Sequence, residues 1–181
     1  MGTVHAPIPA KLFIGMLAQD TGLFQTCTKR LVDAYGQVDM RSEVLPWEHT
    51  DYYREEMGSD LRRVFIFFDR LIDPGELPSI KHFTVQLEQE HASTDASGSH
   101  RRVNLDPGYI TEAKVVLATT KDFPHRIYIG ENLYAESTLH YSKHSGTYLP
   151  VEHTYPDFRS QYCRVLFSRA REKLRTQLHG E

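Results

Sequence analysis

RRVFIFFDRLIDPGELPSIKHFTVQLEQEH, residues 62–91, decides how the rest of the chain is read. Its first half, Arg62 to Leu71, is apolar on successive residues, so both faces of an extended segment are hydrophobic, as in a central strand covered on two sides. Asp73-Pro74-Gly75-Glu76 then starts a helix: an acidic cap, proline at the first helical position and glutamate three residues after the cap. That helix places Leu77, Ile80, Phe83 and Leu87 on one stripe and is expected to fray near His91.

A matching strand and helix lie upstream. KLFIGML, residues 11–17, reads as a buried strand, Asp20 and Thr21 as cap candidates, and Leu23, Phe24, Cys27, Leu31 and Ala34 as a helical stripe stopped by Gly36. Val38 to Leu45 predicts another strand ending at Pro46, joined to the central one by the polar, aromatic segment WEHTDYYREEMGSD. Ala92 to Ser99 lacks apolar residues and predicts a mobile loop, after which Arg101 to Leu105 resumes as a strand. The order β-α-β-β-α-β predicts an α+β fold with a ferredoxin-like core at residues 11 to about 105. A C-terminal extension, about 106 to 181, follows within one domain spanning 1–181. It is read as a short helix over Thr111 to Thr120 from the spacing of Ile110, Ala113 and Leu117. A meander through Arg126–Ile129, Leu133–Tyr141 and Thr147–Glu152 comes next, then a final amphipathic helix from near Ser160.

Composition narrows the function. At 181 residues, with 40% hydrophobic and 11% aromatic residues, the chain suits one soluble domain, and no apolar run approaches the roughly 20 residues that span a bilayer. The N-terminal residues show neither a leader pattern nor a myristoylation signal, so a cytoplasmic protein without membrane attachment is expected. A net charge of −3 argues against general nucleic-acid binding. Cys27 and Cys163 sit among apolar neighbours in helical patterns, as small buried hydrophobes do.

The chemically capable residues crowd into 101–159. Asn104-Leu105-Asp106-Pro107-Gly108-Tyr109 predicts a tight turn whose Asn and Asp either cap the backbone or face a ligand. Arg101 and Arg102 precede it and Lys114 follows, a cationic setting suited to a phosphate or carboxylate. Along Leu133 to Tyr141 strict alternation sends Glu136 to a polar face, where Arg126 or Tyr128 on a neighbouring strand would pair with it. Lys121 and His125 enter the meander, Arg126 being the anion contact and His125 either a proton carrier or a structural group. Tyr155, Asp157 and Arg159 offer an aromatic platform and a charge pair that is equally a helix-terminus lock. Ten histidines are many, yet His140, His144 and His153 fit no metal-ligand spacing, and no metal is assigned. No glycine-rich phosphate loop or other motif identifies a cofactor. Trp47 to Tyr53, with Glu55, Glu56 and Met57, reads as a lid or as a solvated loop.

KLFIGML, SEVLPWEHTDYYREEMG, RLIDPGEL, RRVNLDPGYITEAKVVLATTKDFPHRIYIG, LYAESTLHY and TYPDFRS together resemble an uncharacterised bacterial family, domain of unknown function 4416, over nearly the whole chain. The resemblance implies no activity. Its pattern includes Asp51, Tyr52, Tyr53, Asn104, Asp106, Tyr109, Lys114, Lys121, His125, Arg126, Tyr128, Glu136, Tyr155, Asp157 and Arg159, and omits His140, His144 and His153. Some members carry a GTP-binding label, for which this sequence has no motif. The residues favour a site for a small anionic, phosphorylated or nucleotide-like ligand, bound by Arg101, Asn104, Tyr109, Lys114, Lys121, Arg126, Tyr128, Tyr155, Asp157 and Arg159. The alternatives are a hydrolase or transferase using Glu136, Asp106 or His125 as acid/base, and a protein-interaction module.

Overall fold

Nine consecutive buried residues, Ala10–Ala18, form β1 at the middle of the sheet. The computed structural model describes residues 2–48, 54–95 and 98–180. After β1 come α1 (Gly22–Tyr35), β2 (Val38–Arg41), β3 (Leu45–Pro46), α2 (Arg54–Met57), β4 (Arg62–Ile72) and α3 (Leu77–Glu90). A hairpin of β5 (Ser93–Asp95) and β6 (Gly98–His100) leads to β7 (Val103–Ile110), β8 (Lys114–Thr119), β9 (Ile127–Gly130), β10 (Leu133–Ser142) and β11 (Thr147–Pro150). The chain closes with α4 (Pro156–Arg159) and α5 (Gln161–His179). The main sheet runs β11-β10-β8-β7-β1-β4-β2, with β3 beside β4 and β9 beside β10. Every pairing is antiparallel. The α+β class is therefore borne out.

Two-sided burial explains why β1 and β4 are apolar at successive positions. Leu12, Ile14, Met16, Val64, Ile66 and Phe68 pack under α1 and α3. Phe13, Phe65 and Phe67 point the other way into an aromatic cluster with Phe158 and Phe167, the Phe13 and Phe167 rings meeting edge-on at 4.9 Å. Lys11 lies on that second face and is fully buried. Its ammonium bonds Asp39 at 2.9 Å, the Phe68 carbonyl at 2.9 Å and Gln177 at 3.1 Å, tying the end of α5 to the sheet. Asp73 caps the 3-10 turn Pro74–Glu76 that leads into α3, accepting from the Gly75 N–H at 2.7 Å while Glu76 accepts from the Asp73 N–H, so the capping box that the sequence predicts is present.

Four expectations change. Residues 114–119 form β8, not a helix: Val115, Val116, Leu117 and Ala118 are all buried, alternately against α5 and α3, so the period is two. Residues 104–109 lie inside β7, not in a tight turn. Leu105 hydrogen-bonds away from β1, so alternation sends the nitrogen of Pro107 the same way, where no described strand pairs with it and its missing N–H costs no ladder bond. Part of the expected 92–99 loop is the β5–β6 hairpin. In β10 a bulge between Ser137 and Leu139 breaks the expected alternation, so Ala135 packs toward α3 and Leu139 toward α5. The lid reading rests largely on residues 49–53, outside the described residues. The Gly130-Glu131-Asn132 turn forms as expected, with positive φ at all three.

Candidate functional site

β7 and β8 pair over only three rungs, Gly108 to Ile110 against Leu117 to Val115, and then diverge. From there β7 follows β1 while β8 follows β10. A cleft of about 690 Å³ opens at the split. The unpaired edge of β7 needs partners for its backbone groups, and α3 supplies them. Glu88 accepts from the Leu105 N–H at 2.6 Å and the Lys81 ammonium donates to the Leu105 carbonyl at 2.9 Å. Burial pushes the Glu88 carboxyl from its ordinary 4.5 up to about 7, although Lys81, the Leu105 N–H and Arg101 all pull it down.

Gly15 prepares one wall. A Cβ there would lie 2.8 Å from an Arg63 nitrogen and 3.0 Å from the Phe65 ring, so the missing side chain is the space the guanidinium occupies. Arg63 lies over the Phe65 and Trp47 rings at 4.8 and 5.5 Å, and bridges Asp106 at 3.2 Å and Asp157 at 3.3 Å. Arg63 and Asp157 are each only 6% exposed, a depth at which charges persist only when paired. Asn104 donates to Asp106 at 2.6 Å and accepts from Arg101, which also clasps Glu56 with two bonds of 3.1 Å.

The opposite wall centres on Glu136, which is 4% exposed. Arg126 Nε donates to it at 2.7 Å and His125 Nε2 lies 3.2 Å from the same oxygen. Arg126 also donates to the Tyr155 hydroxyl at 2.6 Å and the Lys121 carbonyl at 3.0 Å, and lies over the Phe123 ring. Burial beside Glu136 pushes the Tyr155 phenol up to about 12, so it keeps its proton at neutral pH. The His125 ring is stacked on His153 at 4.0 Å and 11°, with Phe123 at 6.2 Å on a near-parallel plane.

The structure thus gathers Arg101, Asn104, Asp106, Lys121, His125, Arg126, Glu136, Tyr155 and Asp157 into one cleft. Tyr109, Lys114, Tyr128 and Arg159 lie outside its lining. Tyr109 packs on the α3 side of the sheet, Lys114 is exposed at the other end of β8, and Tyr128 is 58% exposed on β9 against Tyr134. Arg159 donates to the carbonyls of Val151, Glu152 and Thr154, holding the turn before α4, while Asp157 turns to Arg63 instead. Sequence reasoning missed Gly15, Arg63, Lys81 and, as a cleft residue, His153, while Trp47 entered it only within the segment read as a lid or a solvated loop. The Lys81 signal was present: Leu77, Lys81, Thr84 and Glu88 follow at four, three and four residues, so a lysine and a glutamate share the buried stripe of α3.

The sequence pattern of one family matches residues 8–174. The chain belongs to the family described as Domain of unknown function (DUF4416). That description carries no activity. No match to a curated protein or to a solved structure was found. Among the described residues no helix is long and apolar enough to cross a membrane.

Proposed function

We propose that the cleft between β7 and β8 binds a small anionic, phosphorylated or nucleotide-like ligand, on a scaffold whose first half follows the ferredoxin-like β-α-β-β-α-β order. The observation that carries this reading is the lining itself. Five cationic side chains, Arg63, Lys81, Arg101, Lys121 and Arg126, face three carboxylates, Asp106, Asp157 and Glu136, in a chain whose net charge is −3. Glu56 and Glu88 lie behind that lining beside Arg101, and concave walls of low dielectric focus the field of the lining cations toward an anion. Trp47, Phe123 and Tyr155 add aromatic surface for a planar group, and the volume lies within the usual 300–1,000 Å³ of small-molecule sites.

A thermal-shift panel of inorganic phosphate, sugar phosphates and nucleotides tests this. A compound present at 100 times its Kd adds about 2.7 kcal/mol. In a chain of this size that raises Tm by about 5–10 °C. The rise should shrink strongly in Lys121→Ala and Arg126→Met. A panel with no rise, or one equally large in both variants, refutes the reading.

A further inference from the structure

Resting on that anion-binding reading, we infer that the cleft hydrolyses phosphate esters, with His125 as the base that activates water and Glu136 as the residue that positions it. A carboxylate accepts hydrogen bonds and cannot donate them, and Glu136 is ion-paired with Arg126. The 3.2 Å contact from His125 Nε2 to Glu136 is therefore an N–H donated to the carboxylate. With the proton of the neutral ring fixed on Nε2, Nδ1 carries the lone pair. Nδ1 makes no hydrogen bond among the described residues, and the His125 side chain is 22% exposed on the cleft surface. A carboxylate-oriented imidazole that lines a cleft and whose second nitrogen has no hydrogen bond among the described residues is the arrangement that general-base catalysis requires.

The ring is also held still. His153 stacks on it at 4.0 Å, Phe123 lies on a near-parallel plane, and Glu136 is buried and anchored by Arg126. A purely structural histidine bound to a buried carboxylate needs neither a free second nitrogen nor a cationic hollow in front of it. The charged groups around His125 are Glu136 from β10, Arg126 from its own segment and Lys121 before it. From the segment preceding α4 come His153 and the protonated Tyr155.

In the reaction, His125 Nδ1 takes a proton from a water molecule as the water oxygen bonds to phosphorus. The ester P–O bond breaks, and its electron pair leaves with the departing oxygen, which solvent protonates when it is an alkoxide. Arg126 and Lys121 offset charge on the non-bridging oxygens. The Tyr155 hydroxyl accepts from Arg126, so its hydrogen is left to donate to one of those oxygens.

The test uses the full chain with p-nitrophenyl phosphate and bis(p-nitrophenyl) phosphate, whose leaving group departs as the phenolate, beside a thermal shift with inorganic phosphate. Expected is release of p-nitrophenolate from at least one ester. His125→Ala should lower kcat by 100-fold or more, in the range of general-base contributions, with KM changed less than about threefold. Added imidazole should restore part of that rate, which a structural role would not allow. Glu136→Gln should lower kcat by about tenfold or more and gain nothing from imidazole. Should His125→Ala fail to fold, His125→Gln, which keeps a donor to Glu136, carries the comparison and must be as inactive. Phosphate binding without turnover of either ester, or turnover unchanged in the His125 variants, overturns the hydrolysis and leaves the anion site standing. Absence of both binding and turnover overturns the two together.

Discussion

Replacing Arg63 with methionine isolates the interaction on which the floor of the cleft depends. The guanidinium bridges Asp106 and Asp157 at 3.2 and 3.3 Å, and Arg63 and Asp157 are each 6% exposed. Methionine fills much of the volume over Trp47 and Phe65 but leaves both carboxylates without their bridge. Asp106 keeps the Asn104 amide at 2.6 Å and the Lys81 ammonium at 3.8 Å. Removing one partner of a buried ion pair costs about 3–5 kcal/mol. At about 2–4 °C per kcal/mol for a chain of this size, Tm should fall by about 6–20 °C. A companion variant, Arg63→Met with Asp106→Asn and Asp157→Asn, removes both carboxylate charges together with the cation and should recover more than half of the loss. Arg70→Met is the surface control. Its contact to Glu76 is 3.7 Å long, with the two side chains 55% and 42% exposed, and such pairs contribute no more than about 1 kcal/mol. Differential scanning calorimetry of the four proteins decides the matter. If Arg63→Met melts within about 2 °C of the parent, Arg63 does not hold the two aspartates and the account of the floor is wrong.

Two further substitutions probe the split between the strands. Gly108→Ala would set a Cβ against the Val116 carbonyl oxygen and, at 2.5 Å, against the Phe13 ring, so β7 and β8 must separate where they now pair. A loss of about 1–3 kcal/mol or more in urea unfolding is expected, and a neutral result refutes the close approach. Glu88→Gln tests the buried carboxyl. Its folded pKa, about 7, lies above the ordinary 4.5, so its contribution to stability is complete below about pH 4.5 and is lost as pH rises through 7. Stability of the parent relative to Glu88→Gln should therefore fall between pH 5 and pH 8, by about 3 kcal/mol at most, and a pH-independent difference contradicts the burial argument.

Segments whose local signals agree with their packing were readable from the sequence alone. The Asp73 cap, the α1 and α3 stripes and the two-sided apolar strands β1 and β4 needed no knowledge of their neighbours. Errors came where long-range pairing overrode a strong local sign. Asp106-Pro107-Gly108 has the composition of a turn, but Gly108 is in β7 because only a residue without a Cβ lets Phe13 and the Val116 carbonyl come so close. Ile110, Ala113 and Leu117 match a helical period by coincidence, since residues 115–118 are buried on both faces of a sheet. A bulge such as that at Ser137 has no reliable single-sequence signature, so the face reached by each β10 residue could not be counted out from Leu133.

The same logic separates the site residues that were foreseen from those that were not. Residues 101–159 bring most of the polar groups, and their density was visible as charged side chains among apolar ones. What completes the cleft, besides Trp47 of the segment read as a lid or loop, comes from 15, 63 and 81, each hidden inside a pattern that already had a sufficient explanation: a glycine and an arginine in core strands, a lysine in a helix. Their common property is that they answer a defect in the sheet. β7 loses its neighbour beyond Gly108, so Lys81 and Glu88 reach from α3 to its bare edge. On the opposite face Gly15 lets Arg63 lie beside Asp106 of the same strand. Polar side chains that substitute for a missing strand must be buried and paired, and they leave beside them a volume that no strand fills. The break in pairing and the concentration of charge are therefore one feature. A variant that zipped β7 and β8 together past Gly108 would be expected to lose the cleft and the burial of its ion pairs at once.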